Sequence, residues 1–160
     1  MYHPITNSFK KSISNKTKQT IMKATKNKAV SKDVEVVFDE ETQLSVIQYL
    51  KDENVNIPTD EIALIEEQIN NAKYSKLESN AINSIVFAEG LKFGHLIKQS
   101  IGGVWSYDLK KHPYPFITVS DSFTINPIAK AYKFYTHGET ESLLTMYLSM
   151  LFLISNRNAN

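Results

Sequence analysis

Asp108, His112, Ser120 and Asp121 fall within one turn-rich, proline-bounded stretch, and together they hold the residue types of a Ser/His/Asp hydrolase. Nucleophilic catalysis needs a base in reach of the hydroxyl and a third group that orients the base. The chain has no G-x-S-x-G elbow to present such a serine. A polar turn supplies these residue types by default, so no catalytic assignment follows from them. The histidines, His3, His95, His112 and His137, show neither the i,i+4 pairing nor the His-Glu motif of a helical zinc site. His95, beside Leu91 and Ala88, reads as a partly buried, satisfied side chain, and His137 suits the last turn of a helix ending at Gly138. The absence of cysteine excludes disulfides, thiolate metal sites and thiol nucleophiles. Asp52/Glu53 and Glu66/Glu67 are adjacent acids, but neighbours on a helix point in different directions, which suits a solvated face better than a glycosidase pair. Gly102-Gly103 follows a helix and precedes a strand, the reverse of a phosphate loop. The expectation is a protein that is not an enzyme and holds no cofactor and no metal.

Charge is the sharper signal. The 160 residues sum to +1, yet the average conceals a segregation. Residues 1–32 carry eight lysines, among them Lys10, Lys11, Lys16, Lys18 and Lys23, and no acid. Residues 33–80 have a net charge of −9 and residues 81–160 a net charge of +2. Such asymmetry between segments marks candidate interaction surfaces. The acidic segment offers Asp39, Glu40, Glu41, Asp60, Glu61, Glu66 and Glu67 as a helical surface for a protein partner, a cationic toxin being the most specific form, and its charge would steer association. Tyr107 is a further partner-binding candidate, of the type enriched at hot spots, whereas Trp105 reads as core. The alternative is a nucleic-acid-associated accessory protein whose lysine-rich start neutralises phosphates. That start lacks the interleaved aromatics of a single-strand platform and the arginines that read base edges.

These residues need elements to position them. Residues 1–32, with few large apolar residues and uniform charge, read as a basic tail. A single α+β domain is expected over residues 33–156. Val34–Phe38 reads as extended, followed by a helix from about Glu40 to Asp52 with Asp39 as its cap and Leu44, Ile47 and Leu50 inward. Thr59 caps the next helix, whose stripe is Ile62, Ile65, Ile69 and Ala72. Ser79 caps a third, carrying Ile82, Val86, Phe93, Ile97 and Ile101. Gly90 and Gly94 share that stripe, so another backbone should approach there. Gly102-Gly103 stops the helix. Val104–Leu109 alternates as a strand with Trp105, Tyr107 and Leu109 on one face; Pro115–Ser120 is a second strand with Ile117 and Val119 inward, and Phe123–Ile125 a short third. Asn126-Pro127 opens a helix that Gly138 ends. Thr140 and Glu141 start the last helix, apolar nearly all round and so largely buried.

The order Gly90-x-x-x-Gly94, Gly102-Gly103-x-Trp105, a proline-rich hairpin, Ile125-Asn126-Pro127 and Gly138 resembles an uncharacterised family of small bacterial domains over roughly residues 40–150. The resemblance implies N-terminal helices, a small two- or three-stranded antiparallel sheet and two closing helices. It hands over no functional residues, and the association it brings is with immunity proteins of bacterial competition systems. The longest uncharged run, Ser142 to Asn156, is too short for a bilayer span of about 20 residues. No secretory h-region opens the chain, and a cytoplasmic location without membrane contact is expected.

Overall fold

The computed structural model of the chain describes residues 40–52 and 56–157. The lysine-rich residues 1–32, the segment Val34–Phe38 and Asp39 lie outside the described residues. The element order is α1 (Glu40–Asp52), α2 (Thr59–Lys73), α3 (Ser79–Ile101), β1 (Val104–Ser106), β2 (Phe116–Ser120), β3 (Phe123–Ile125), α4 (Pro127–His137), a 3₁₀ turn (Gly138–Glu141) and α5 (Leu143–Arg157). This is the α+β architecture expected, with, among the described residues, three helices before an antiparallel sheet of order β1-β2-β3 and two after it. Among the described residues no helix is long and apolar enough to cross a membrane. Two compact units are present: one spans Pro58–Leu144, and the other contains α1 with α5 from Thr145 onward.

In the first unit α3 packs against both α2 and α4. The stripe of α2 is buried as its spacing requires, with Ile62, Ile65, Ile69 and Ala72 all in the core. Its cap differs from expectation. Pro58 takes the cap position, Thr59 is the first helical residue, and the Pro58 carbonyl accepts the Ile62 N–H at 3.0 Å. Ser79 is likewise the first residue of α3, behind an extended Glu78. In both places an ST-type cap signal lies one residue inside the helix, and neither hydroxyl makes a cap bond.

Along α3, Val86, Gly90, Phe93, Gly94, Ile97 and Ile101 are buried. A Cβ on Gly90 would lie 2.7 Å from the Ile128 Cα, so the backbone of α4 makes the close approach that the glycine stripe predicts. At Gly94 the neighbours are rings: its Cβ would meet Trp105 Cζ2 at 2.6 Å and Pro127 Cγ at 2.8 Å. Glu89 is buried on the same stripe and receives the Lys92 ammonium at 2.6 Å.

β1 ends earlier than its alternation suggests. Trp105 opposes Ile117 and Ser106 opposes Phe116, where β2 begins, so the chain beyond Ser106 has no β2 residue to pair with. Asp108 then closes a turn, its carbonyl accepting the Lys111 and His112 N–H groups at 2.9 Å and its Oδ1 accepting that of Lys110 at 3.1 Å. Tyr107 and Leu109, expected inward beside Trp105, are therefore exposed. Tyr114 fastens the β1–β2 connection to the helices by stacking on Tyr132 (centroids 5.1 Å, planes 14° apart) and meeting Phe87 edge-on. The Tyr132 hydroxyl donates to the Asn83 carbonyl at 3.1 Å, and burial, then Tyr114, push its phenol above the ordinary range.

α4 starts with Asn126 at the cap and Pro127 at N1 and stops at Gly138, whose φ of 68° is one glycine adopts readily. The expected helix start at Thr140 and Glu141 is instead the 3₁₀ turn. α5 begins at Leu143 because Glu66 reaches it from α2: one carboxylate oxygen accepts the Leu143 N–H at 2.7 Å and the Ser142 hydroxyl at 3.1 Å. A remote carboxylate thus does the work of a local cap.

In the other unit, Thr145, Tyr147, Leu148, Ser149, Met150 and Leu151 are buried, so the last helix is largely interior along its described side chains. Leu44 of α1, expected inward, is exposed. Among the described side chains of α1, Gln43 and Ile47, four residues apart, are half-buried, Ile47 as expected; Gln43 Nε2 donates to Thr145 Oγ1 at 3.0 Å, and the side chain of Leu50 lies outside those described.

Candidate functional site

The outer face of α2 gathers the strongest concentration of candidate residues. Opposite the isoleucine stripe, Asp60, Leu64 and Glu67 follow one another at helical spacings of four and three, with Glu61 beside Leu64. All four are exposed, Leu64 at 55%. Among the described residues no ion pair engages the three carboxylates. The basic residue of α2, Lys73, lies in the last turn with its ammonium 5.8 Å from the Tyr74 ring. Asp60 and Glu61 sit in the first turn, where they also complement the positive end of the helix. Glu67 is mid-helix and has no such role.

Glu66 is placed differently from its neighbour. It lies four residues after Ile62 and three before Ile69, both fully buried, so its side chain leaves the helix at the margin of the core and caps α5. Its carboxylate is committed within the fold rather than offered to a partner. Glu66→Ala is expected to lower stability by about 1–2 kcal/mol, while Glu67→Ala stays within about 0.5 kcal/mol; urea unfolding of the two variants checks the contrast.

The remaining acidic candidates do not extend this face. Glu40 and Glu41 are exposed in the first turn of α1, which belongs to the other compact unit, and Asp39 lies outside the described residues, as do Lys10, Lys11, Lys16, Lys18 and Lys23. Tyr107 is exposed just past β1.

The hydrolase set is not assembled. His112 lies before β2 with its ring edge-on to Phe116 at 4.5 Å, whereas Ser120 ends that strand. Four residues of extended chain hold the two ends of β2 about 13 Å apart. Asp108 is occupied by its own turn and by Lys111 at 3.8 Å. Among the described residues no three histidines or acids are placed to hold a metal ion. His95, read from sequence as partly buried, is exposed, because the buried line of α3 runs through Phe93, Gly94 and Ile97 and passes it by.

Three charged or apolar features were not anticipated from sequence. Glu89 is buried on the α3 stripe, at three residues from Val86 and four from Phe93. Lys130, 5% exposed, is buried on α4 at three residues from Pro127 and four from Phe134, and its ammonium meets Glu141 Oε2 at 2.6 Å. Leu64 stands exposed at the centre of the acidic face. The signal for each was the position relative to the stripe rather than the residue type. Comparison with known proteins adds no relative: no family model matches the chain, and no curated protein or solved structure matches it significantly.

Proposed function

We propose that the protein is a non-enzymatic binding protein acting in the bacterial cytoplasm, in its most specific form an immunity protein that neutralises a cationic toxin. The observation that carries this reading is the outer face of α2, where Asp60, Glu61 and Glu67 surround the exposed Leu64 with no cation of the described fold paired to them. An apolar centre with a charged rim is the anatomy of a protein-docking patch. The rim sets the sign of the partner, and its charge raises the rate of encounter more than the strength of the final complex.

The binding reading therefore makes a kinetic prediction. With the captured partner immobilised, the association rate should fall by about tenfold between low and physiological salt, as the Debye length shrinks from about 30 Å to about 8 Å. Dissociation should change much less. The variant Asp60→Asn/Glu61→Gln/Glu67→Gln should associate slowly at both salt concentrations. Equal salt slopes for the wild type and the variant would remove this face from the interface.

A further inference from the structure

We propose that the outer edge of β1 is a second binding surface, which accepts an extended, acidic segment of a partner protein as a further strand of the sheet. Among the described residues the sheet order β1-β2-β3 leaves β1 with one strand neighbour. Beyond that ladder, the contact made to the β1 backbone among the described residues is a long one, from the Ser106 hydroxyl to the Val104 carbonyl at 3.5 Å. An edge strand with unpaired N–H and C=O groups is a template for another chain unless shortness, a proline, a charge or a bulge blunts it. β1 is short, three residues, but Val104–Tyr107 contains no proline and no charged residue, and the register of Val104–Ser106 with β2 is regular.

The side chains around the β1 edge suit the same role. Val104, Tyr107 and Leu109 are 67%, 64% and 66% exposed. Tyr107 continues the alternation of β1 but lies beyond the reach of β2, so an incoming strand would give it the pairing it lacks. In strand addition the main chain supplies affinity and alternate side chains supply selectivity, so a small apolar area suffices.

Charge selects the partner. Lys98, in the last turn of α3, leads into β1, and Lys110 and Lys111 follow it; Asp108 offsets one of these charges through Lys111. A second copy of the chain is disfavoured on two grounds. Antiparallel pairing of two β1 edges would bring together two chains that each carry Lys98, Lys110 and Lys111 around the strand, like charge near like charge. Three exposed side chains also fall well short of the roughly 800 Å² per partner of a stable interface between folded surfaces. An acidic extended segment meets neither obstacle. The inference is independent of the α2 face, which takes the opposite charge.

Selection of a random dodecapeptide phage library on the full chain tests the proposal. Peptides recovered should be rich in β-branched and aromatic residues, free of central proline, and acidic. Synthetic versions should slow amide exchange at Val104–Tyr107. They should bind Val104→Lys/Tyr107→Lys, a change at exposed positions that leaves the melting temperature in place, at least about tenfold more weakly. N-methylation of alternate peptide bonds should abolish binding. Four outcomes would overturn the proposal: no enrichment, basic peptides mapping to α2, binding indifferent to the Lys substitutions or to N-methylation, or self-association of the wild type through β1.

Discussion

Glu141→Gln is expected to destabilise the fold by about 3 kcal/mol, the lower end of the cost of breaking a buried ion pair. Lys130 is 5% exposed and Glu141 is the acid its ammonium meets, at 2.6 Å. Removing the carboxylate charge takes from the buried ammonium the anion that it meets at 2.6 Å, while the amide preserves volume. The second substitution identifies the cause: Lys130→Met in the Glu141→Gln background should recover much of the loss, because the buried charge that Glu141 faced is then gone. Urea unfolding at neutral pH measures both. The same pair fixes a pH dependence. Burial pushes the Glu141 carboxyl up, but the Lys130 hydrogen bond and charge, with Lys133 and His137, outweigh it and hold the carboxyl below the usual range. A depressed folded value means that the contribution is complete above the unfolded carboxyl's pKa of about 4.3 and is lost as pH falls through the folded value. Glu141→Gln should therefore flatten the acid limb of the stability profile as well as lower its plateau.

Gly90→Ala is expected to cost about 1–3 kcal/mol, although helix propensity alone would make alanine better by about 0.5–1 kcal/mol. The clash decides the sign. The new Cβ would stand 2.7 Å from the Ile128 Cα and 3.2 Å from the Ala131 Cβ, so the backbone of α4 would have to retreat from α3. Gly94→Ala differs, since its nearest obstacles are the Trp105 and Pro127 rings. Trp105→Phe removes the outer ring atoms, so Gly94→Ala should be better tolerated in that background, with a coupling above about 0.5 kcal/mol. No such relief should be found for Gly90→Ala. Thermal or urea unfolding of the two single variants and the Gly94→Ala/Trp105→Phe double variant reads both effects.

The physical reasons for what could and could not be read in the sequence differ from element to element. Helical stripes were legible because burial imposes a period: Ile62, Ile65, Ile69 and Ala72 are buried together, and Gly90 marks a backbone approach. Asn126-Pro127 and Gly138 were legible because their backbone chemistry is local. The start of α5 was not, since the group that caps it, Glu66, is 77 residues away in the chain. The end of β1 was not, because it depends on where β2 begins to pair. In the candidate site, charge segregation pointed to the acidic helices, but composition cannot separate Glu67, which is exposed, from Glu66, which is committed to a cap. That distinction rests on helix geometry, through the distance of each residue from the buried stripe.

The central claim is that the acidic outer face of α2 binds a cationic protein. Its most direct test is capture from the native host's lysate by the full chain, compared with Asp60→Asn/Glu61→Gln/Glu67→Gln, with and without nuclease. The triple variant retains Glu66 and hence the α5 cap, so its melting temperature should fall only by the few degrees that two lost first-turn charges of α2 account for. The account predicts one stoichiometric basic protein on the wild type, indifferent to nuclease and missing from the variant. An equal catch on both proteins, or a heterogeneous catch that disappears with nuclease and with deletion of residues 1–32, would contradict it.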